Sequence, residues 1–180
     1  MISKTGCFCS RFFFGEKMEF VKIEKESGRI GELSAMATEI LREYYDPLLG
    51  VEQNSYMLEK FQSVKGINGQ LEQGYNYYIV RENDENIGFI AFYPRGKALY
   101  LSKFYLYSHC RGKGYARSII GFLKKKAAEQ RLESIELNVN KYNISCRIYE
   151  ALGFKKIRSE KNDIGSGFFM DDFVYSMILY

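Results

Sequence analysis

Leu106-Tyr107-Ser108-His109-Cys110-Arg111-Gly112-Lys113-Gly114-Tyr115-Ala116-Arg117 is the stretch that decides the fold. Residues 98–106, which run into it, are apolar or aromatic on both faces, as in a strand at the centre of a sheet. Residues 116–130, which follow it, place Ala116, Ile119, Ile120, Leu123 and Ala127 on one stripe of helical period. Lys124, Lys125 and Lys126 turn to solvent or to the helix edge. Between strand and helix stand Gly112 and Gly114, with the basic residues Arg111, Lys113 and Arg117 around them. Gly114 and Ala116 keep side-chain bulk away from the backbone. The first helical turn beyond them offers unpaired N–H groups and the positive end of the helix dipole. Such a junction can cradle a phosphate. It is not the Gly-x-Gly-x-x-Gly of a dinucleotide fold, and no Gly-Lys-Ser/Thr follows. Alone, the turn fits a tight packing device equally well.

Upstream, the order of elements is consistent with a sheet that begins as an antiparallel meander. Residues 19–24 alternate like a strand. Leu33, Met36, Ala37, Ile40, Leu41 and Tyr44 form one apolar stripe, which predicts a helix over 27–45, ended by Pro47 and Gly50. Shorter helices are expected over 54–62 and 64–73, and Gly74 stops the second. Residues 75–81 are rich in aromatic and β-branched types, a strand. Residues 82–86 are a polar turn, 87–93 the return strand, and Pro94-Arg95-Gly96 a second turn.

Downstream, residues 134–139 read as a strand, and a short helix capped by Asn143 or Ser145 runs to Leu152, with Gly153 ending it. A strand starts at 154–158, a turn covers 163–167, and a closing strand covers 168–179. A meander followed by a strand–helix–strand unit gives a mixed α/β (α+β) sheet.

These two segments together carry a family resemblance. Arg111-x-x-Gly114-x-Ala116 after a central strand, and Asn143 followed by a helix holding Tyr149 and closing on Leu152-Gly153-Phe154, resemble the GNAT superfamily of N-acetyltransferases over most of residues 20–179. The resemblance implies a mostly antiparallel central sheet flanked by helices, with its fourth and fifth strands splayed. It implies acetyl-CoA as the acyl-donor cosubstrate, an amine as acceptor, and no metal. It places the coenzyme pyrophosphate on Arg111, Gly112, Lys113, Gly114, Tyr115, Ala116 and Arg117, and the pantetheine arm along Phe104, Tyr105 and Leu106. Asn143 is similar to the family's coenzyme-contacting Asn, and Tyr149 to its general acid, which protonates the departing thiolate. Asn143 and Tyr149 stand six positions apart where the commoner spacing is seven, so Asn138 and Asn140 are alternatives. The family mechanism is direct transfer and needs no nucleophilic Cys.

The general base is unmarked: no Asp or Glu lies between Lys97 and Ser108, which leaves Glu43, Asp171, Asp172 or a water relay. Tyr44, Tyr45, Tyr56, Met57 and Phe61 are expected to wall the acceptor pocket. A non-catalytic coenzyme sensor or interaction module on the same fold is the alternative function.

The totals are ordinary for a soluble globular protein. The 180 residues fit one domain, expected over 18–180 with residues 1–17 as a leader or tail and Met18 as the natural start. A net charge of +4 suits a polyanionic small molecule, and without a long basic run it argues against nucleic acid as the main partner. Four irregularly spaced cysteines make no disulfide framework, and Cys7 with Cys9 lacks a second pair to complete a zinc site. His109 reads as a loop residue. No run of about 18 apolar residues predicts a membrane span, and the cytoplasm is the expected compartment. The aromatic-rich closing strand could pair across a homodimer.

Overall fold

The computed structural model describes residues 18–25 and 28–179. The expected leader, the Met18 start and the Cys7–Cys9 pair therefore concern positions 1–17, which lie outside the described residues. Twelve regular elements follow in order: β1 (Met18–Ile23), α1 (Ile30–Leu49), α2 (Val51–Gln62), α3 (Val64–Glu72), β2 (Asn76–Glu82), β3 (Glu85–Arg95), β4 (Ala98–Leu106), α4 (Tyr115–Glu129), β5 (Ser134–Asn140), α5 (Ser145–Ala151), β6 (Lys155–Gly165) and β7 (Phe168–Ile178). The strands form one mixed sheet in the order β1-β2-β3-β4-β5-β7-β6. Every neighbouring pair is antiparallel except β4 and β5, which run parallel.

The sheet buries both faces. The stripe of α1 (Leu33, Met36, Ala37, Ile40, Leu41), with Leu58 of α2 and Ile67 of α3, packs on Ile23, Tyr77, Ile79, Phe89 and Ala91. On the other face Ile119, Ile120 and Leu123 of α4 pack on Tyr78, Ile90, Leu99, Leu101, Ile135 and Leu137. Tyr77 and Tyr78 go to opposite cores, as strand alternation requires. Each fully buried Leu or Ile here contributes roughly 1.5–3 kcal/mol of transfer free energy.

Three of the differences from the sequence reading have a local reason. Pro47 lies inside α1, not at its end. It stands two residues from the last helical position, so it removes one late hydrogen bond, and the Gly50 N–H still reaches the Asp46 carbonyl at 3.1 Å. Pro94 lies inside β3, not in a turn: β2 begins at Asn76 opposite Phe92, so at Pro94 the strand pairs with β4 only. The last hairpin is longer than expected because residues 159–163 are polar and largely exposed on an edge strand, where pairing comes from the backbone and leaves no apolar alternation. Its turn is two residues, Ser166 (φ 55°) and Gly167 (φ 78°), like Asn83 (φ 47°) and Asp84 (φ 68°) in the β2–β3 hairpin. Left-handed pairs of this kind match the twist of the flanking strands.

Two irregularities of β4 make the site. Phe92 pairs with Leu101 and Ala91 with Lys103, so Ser102 is an extra residue, a β-bulge. Before it Leu99 and Leu101 face α4; after it Phe104 and Leu106 do. Lys103 and Tyr105 are therefore directed to the side of α1–α3. Second, β4 and β5 pair only from Ala98–Ser134 to Leu101–Leu137. Beyond that the strands part, and a wedge opens between residues 102–106 and 138–140.

Candidate active site

The wedge leads into the glycine turn. After β4 a single 3-10 turn, Ser108–Cys110, carries His109 stacked on Tyr107, outside the wedge. The chain then passes Gly112 (φ 76°) and Gly114 (φ 88°), both in the left-handed region, and Gly114 opens α4. A side chain at either glycine would meet open space, so glycine is needed there for conformation and the volume above the turn stays accessible. The N–H groups of Gly112, Lys113, Gly114 and Ala116 make no hydrogen bond within the described residues. With Arg111, Lys113 and Arg117 exposed beside them, they gather donors and positive charge at a helix N-terminus, an arrangement that can hold an anion. Tyr115 has a different part from its neighbours: its ring is buried in the core and its hydroxyl donates to Glu82. Arg111 joins turn to wedge, since its Nε donates to the Leu106 carbonyl at 3.1 Å and its guanidinium lies 5.2 Å from the Tyr44 ring centre.

A narrow cavity of about 130 Å³ fills the wedge. Phe104, Tyr105, Leu106, Arg111, Asn143 and Tyr149, from three separate parts of the sequence, all line it. Tyr149 is carried across by α5 and fixed by the rings of Phe104, Phe154 and Tyr175, with centres 5.7–6.4 Å away. Burial raises its phenol well above the ordinary value, so it keeps its proton, and its hydroxyl makes no hydrogen bond within the described residues. Asn143, 7% exposed, is heavily used by the protein itself. Its Oδ1 accepts from the Ser145 N–H and from the Tyr44 hydroxyl, both at 2.8 Å, and its Nδ2 donates to the Tyr45 hydroxyl at 3.4 Å. The side chain thus starts α5 and ties it to α1. Asn138 lines the same cavity, and Asn140 lines the larger one next to it.

That larger cavity, about 740 Å³, lies between α1–α3 and the sheet. Tyr45, Ser102, Tyr105 and Asn138 line both spaces and form the wall where they meet. Of the residues expected to wall an acceptor pocket, Tyr45, Met57 and Phe61 do so. Tyr44 faces the wedge instead, and Tyr56 donates to the Ile164 carbonyl at 2.7 Å and packs on Phe168. Among the candidate bases, Glu43 is exposed and lines neither space, and Asp171 is paired with Lys141. Asp172 lines the larger cavity and is 2% exposed. Burial holds its carboxyl up at about 6, aided by the nearby charges of Asp171 and Glu160, while the Asn138 side chain acts the other way.

One residue of this cavity escaped the sequence reading, which took β4 as apolar or aromatic on both faces. Lys103 is 9% exposed and lines the larger space. The signal was present in the apolar spacing Leu99, Leu101, Phe104, Leu106, whose jump of three marks the bulge that turns Lys103 inward.

Comparison with known proteins agrees with this geometry. The sequence profile of the acetyltransferase (GNAT) domain matches residues 45–170, from the end of α1 into β7. The chain belongs to the GNAT acetyltransferase family. No curated protein matches its sequence. Among solved structures, the PaiA N-acetyltransferase of Thermoplasma acidophilum in complex with coenzyme A superposes with a TM-score of 0.74 at 16% identity, covering 91% of this chain and 99% of that one. A Bacillus subtilis acetyltransferase in complex with CoA gives 0.60 at 14%, covering 91% and 100%. A spermidine N-acetyltransferase SpeG chimera from Vibrio cholerae and hSSAT gives 0.64 at 15%, covering 89% and 94%. At these identities the likeness is one of fold. In this GNAT chain the parted β4 and β5 are thus a feature of the family fold. Among the described residues no cluster of three or more metal-ligating side chains occurs, and no helix is long and apolar enough to cross a membrane.

Proposed function

We propose that the chain is an acetyl-CoA-dependent N-acetyltransferase, formed by residues 18–180, that transfers the acetyl group directly to a primary amine. The observation that carries the reading is the meeting of two spaces: a narrow wedge that opens at an anion-binding turn, and a wide cavity that shares its wall. The turn would hold the coenzyme's pyrophosphate through the N–H groups of Gly112, Lys113, Gly114 and Ala116 and the charges of Arg111, Lys113 and Arg117. The unpaired edge of β4 at Phe104, Tyr105 and Leu106 would hold the pantetheine arm as an added strand. The thioester then comes to the shared wall of Tyr45, Ser102, Tyr105 and Asn138.

At that wall the amine forms the new C–N bond as the C–S bond breaks. Asp172 takes the amine proton; its carboxyl near 6 is ionised at neutral pH yet closer to an amine in basicity than an ordinary Asp. Tyr149 supplies a proton to the departing sulfur. Asn143 positions α5, and so Tyr149, rather than touching the reacting atoms. Calorimetry with acetyl-CoA, followed by thiol release over an amine panel, tests the reading. Coenzyme binding with turnover supports it. Binding without turnover over a broad panel would favour a coenzyme sensor, and no binding would overturn both.

A further inference from the structure

Lys103 is placed at a cost that the fold does not recover. A buried ammonium has three donors to satisfy. This one gives a single hydrogen bond, to the Ser102 Oγ at 3.1 Å. The rings of Phe61 and Tyr75 lie 5.9 and 6.0 Å from Nζ, at the outer limit of useful cation–π attraction. No carboxylate pairs with it among the described residues, and burial alone pulls its pKa down to about 8. The β4 bulge aims it into the larger cavity, where it is the one buried cation of the described lining. Lys60 is spent on the Ile164 carbonyl and the Tyr56 hydroxyl, and Glu59 and Lys65 are exposed at the rim. The cavity also has an opposite pole. Asp172 and the Asn138 Oδ1, a buried acceptor without a partner, line it, and Asn138 also lines the wedge. Asp172 and Lys103 form no ion pair and do not shift one another.

We infer that this cavity selects an acceptor carrying a carboxylate as well as an amine, an amino acid or short peptide, whose carboxylate pairs with Lys103 while its amine faces Asp172 and Asn138. The inference rests on the acetyltransferase reading and names its substrate class. A carboxylate would satisfy the donors that Lys103 leaves open. An amine would satisfy Asn138. A polyamine, by contrast, would bring further positive charge against a buried ammonium. So although one structural neighbour is a spermidine N-acetyltransferase chimera, the pocket chemistry here points the other way.

The test compares L-amino acids with their amides and with spermidine, using acetyl-CoA and thiol release. At least one amino acid should be used with kcat/KM tenfold or more above its own amide and above spermidine. In Lys103→Met, which keeps the volume and removes the charge, that ratio should fall to within threefold of one. A preference for the amides or spermidine, or an equal loss for acid and amide in Lys103→Met, overturns the inference. Coenzyme binding is measured separately, so a failure of the acetyltransferase reading shows as no acetyl-CoA binding. In that case, or if nothing turns over, binding decides. Amino acids should raise the melting temperature of the wild type and leave that of Lys103→Met unmoved, with the amides inert on both. Equal shifts in the two proteins, or none in either, overturn the inference. Lys103→Gln repeats the comparison with a polar replacement.

Discussion

The two spaces that meet at Tyr45, Ser102, Tyr105 and Asn138 are built by opposite means. The wedge and its turn are made of backbone: parted strands, left-handed glycines and the free N–H groups of one helix start. The wide cavity is made of side chains brought together from α1, α2, α3, β3, β4, β5 and β7. In the wedge no ionisable group is held against its preference except the Tyr149, Tyr105 and Tyr45 phenols, which burial only keeps neutral. In the wide cavity Lys103 and Asp172 are both held away from their ordinary states by burial. A backbone site can serve one ligand common to a family. A side-chain site is where a single member sets its own choice of acceptor, and there stability is given up for it.

That contrast can be broken most sharply at Tyr149. Tyr149→Phe keeps the ring and its contacts with Phe104, Phe154 and Tyr175 and removes only the proton donor. Turnover should fall by roughly 10²- to 10³-fold, within the usual range for a lost general acid. Coenzyme affinity by calorimetry should stay within about twofold, because the backbone of the wedge is untouched. Loss of affinity in step with turnover would show that the ring is a structural support.

Lys103→Met asks whether the wide cavity really gives up stability. An ammonium that titrates at about 8 rather than 10.5 destabilises the fold at neutral pH by on the order of 3 kcal/mol. The sign is worked out from the protons. Between about 8 and 10.5 the unfolded chain holds a proton that the folded chain has released, so wild-type stability should rise with pH across that window. Denaturant unfolding should find Lys103→Met more stable at pH 7, with the advantage shrinking as pH climbs past 8. A variant no more stable than the wild type at pH 7 would mean that the lysine is solvated after all.

Asp172→Asn is a smaller step, since water can take over proton removal from an amine. The structure puts the carboxyl at about 6, so below that pH the folded protein holds it protonated and unable to accept. The kcat/KM of the wild type should rise through about pH 6, and Asp172→Asn should be roughly tenfold slower at neutral pH and lack that limb. An unchanged limb in the variant would assign it to another group.

The same contrast explains what the sequence made legible. The turn was readable because left-handed backbone needs glycine at Gly112 and Gly114, and because a strand before and a helix after are marked by their periods. Tyr149 was readable through its place before Gly153-Phe154. Residue types do not record which strands part, so the wedge itself came through resemblance, and the structure then located its opening beyond Leu101 and Leu137. Lys103 is missed when β4 is read as apolar or aromatic on both faces; only the three-residue step from Leu101 to Phe104 betrays the bulge. Asp172 could not be told from Asp171 until the pairing of Asp171 with Lys141 and the burial of Asp172 separated them. Edge strand β6 lacked the apolar alternation from which strands are read.

Gly114 offers the finest division between the two sites. Its φ of 88° is a conformation that costs a residue with a Cβ on the order of 1 kcal/mol, while the space above it is empty. Gly114→Ala therefore introduces no collision, and the protein should fold with a loss of about 1 kcal/mol in denaturant unfolding. If the backbone N–H groups at this turn hold the coenzyme, relaxing the strained φ tilts them away from a common point. The dissociation constant for acetyl-CoA should then rise severalfold, about 1 kcal/mol, while the acid-to-amide preference set by Lys103 stays as it was. A change in that preference would mean that the wedge and the wide cavity are coupled through their shared wall; an unchanged coenzyme affinity would mean that Arg111, Lys113 and Arg117 hold the pyrophosphate without the backbone.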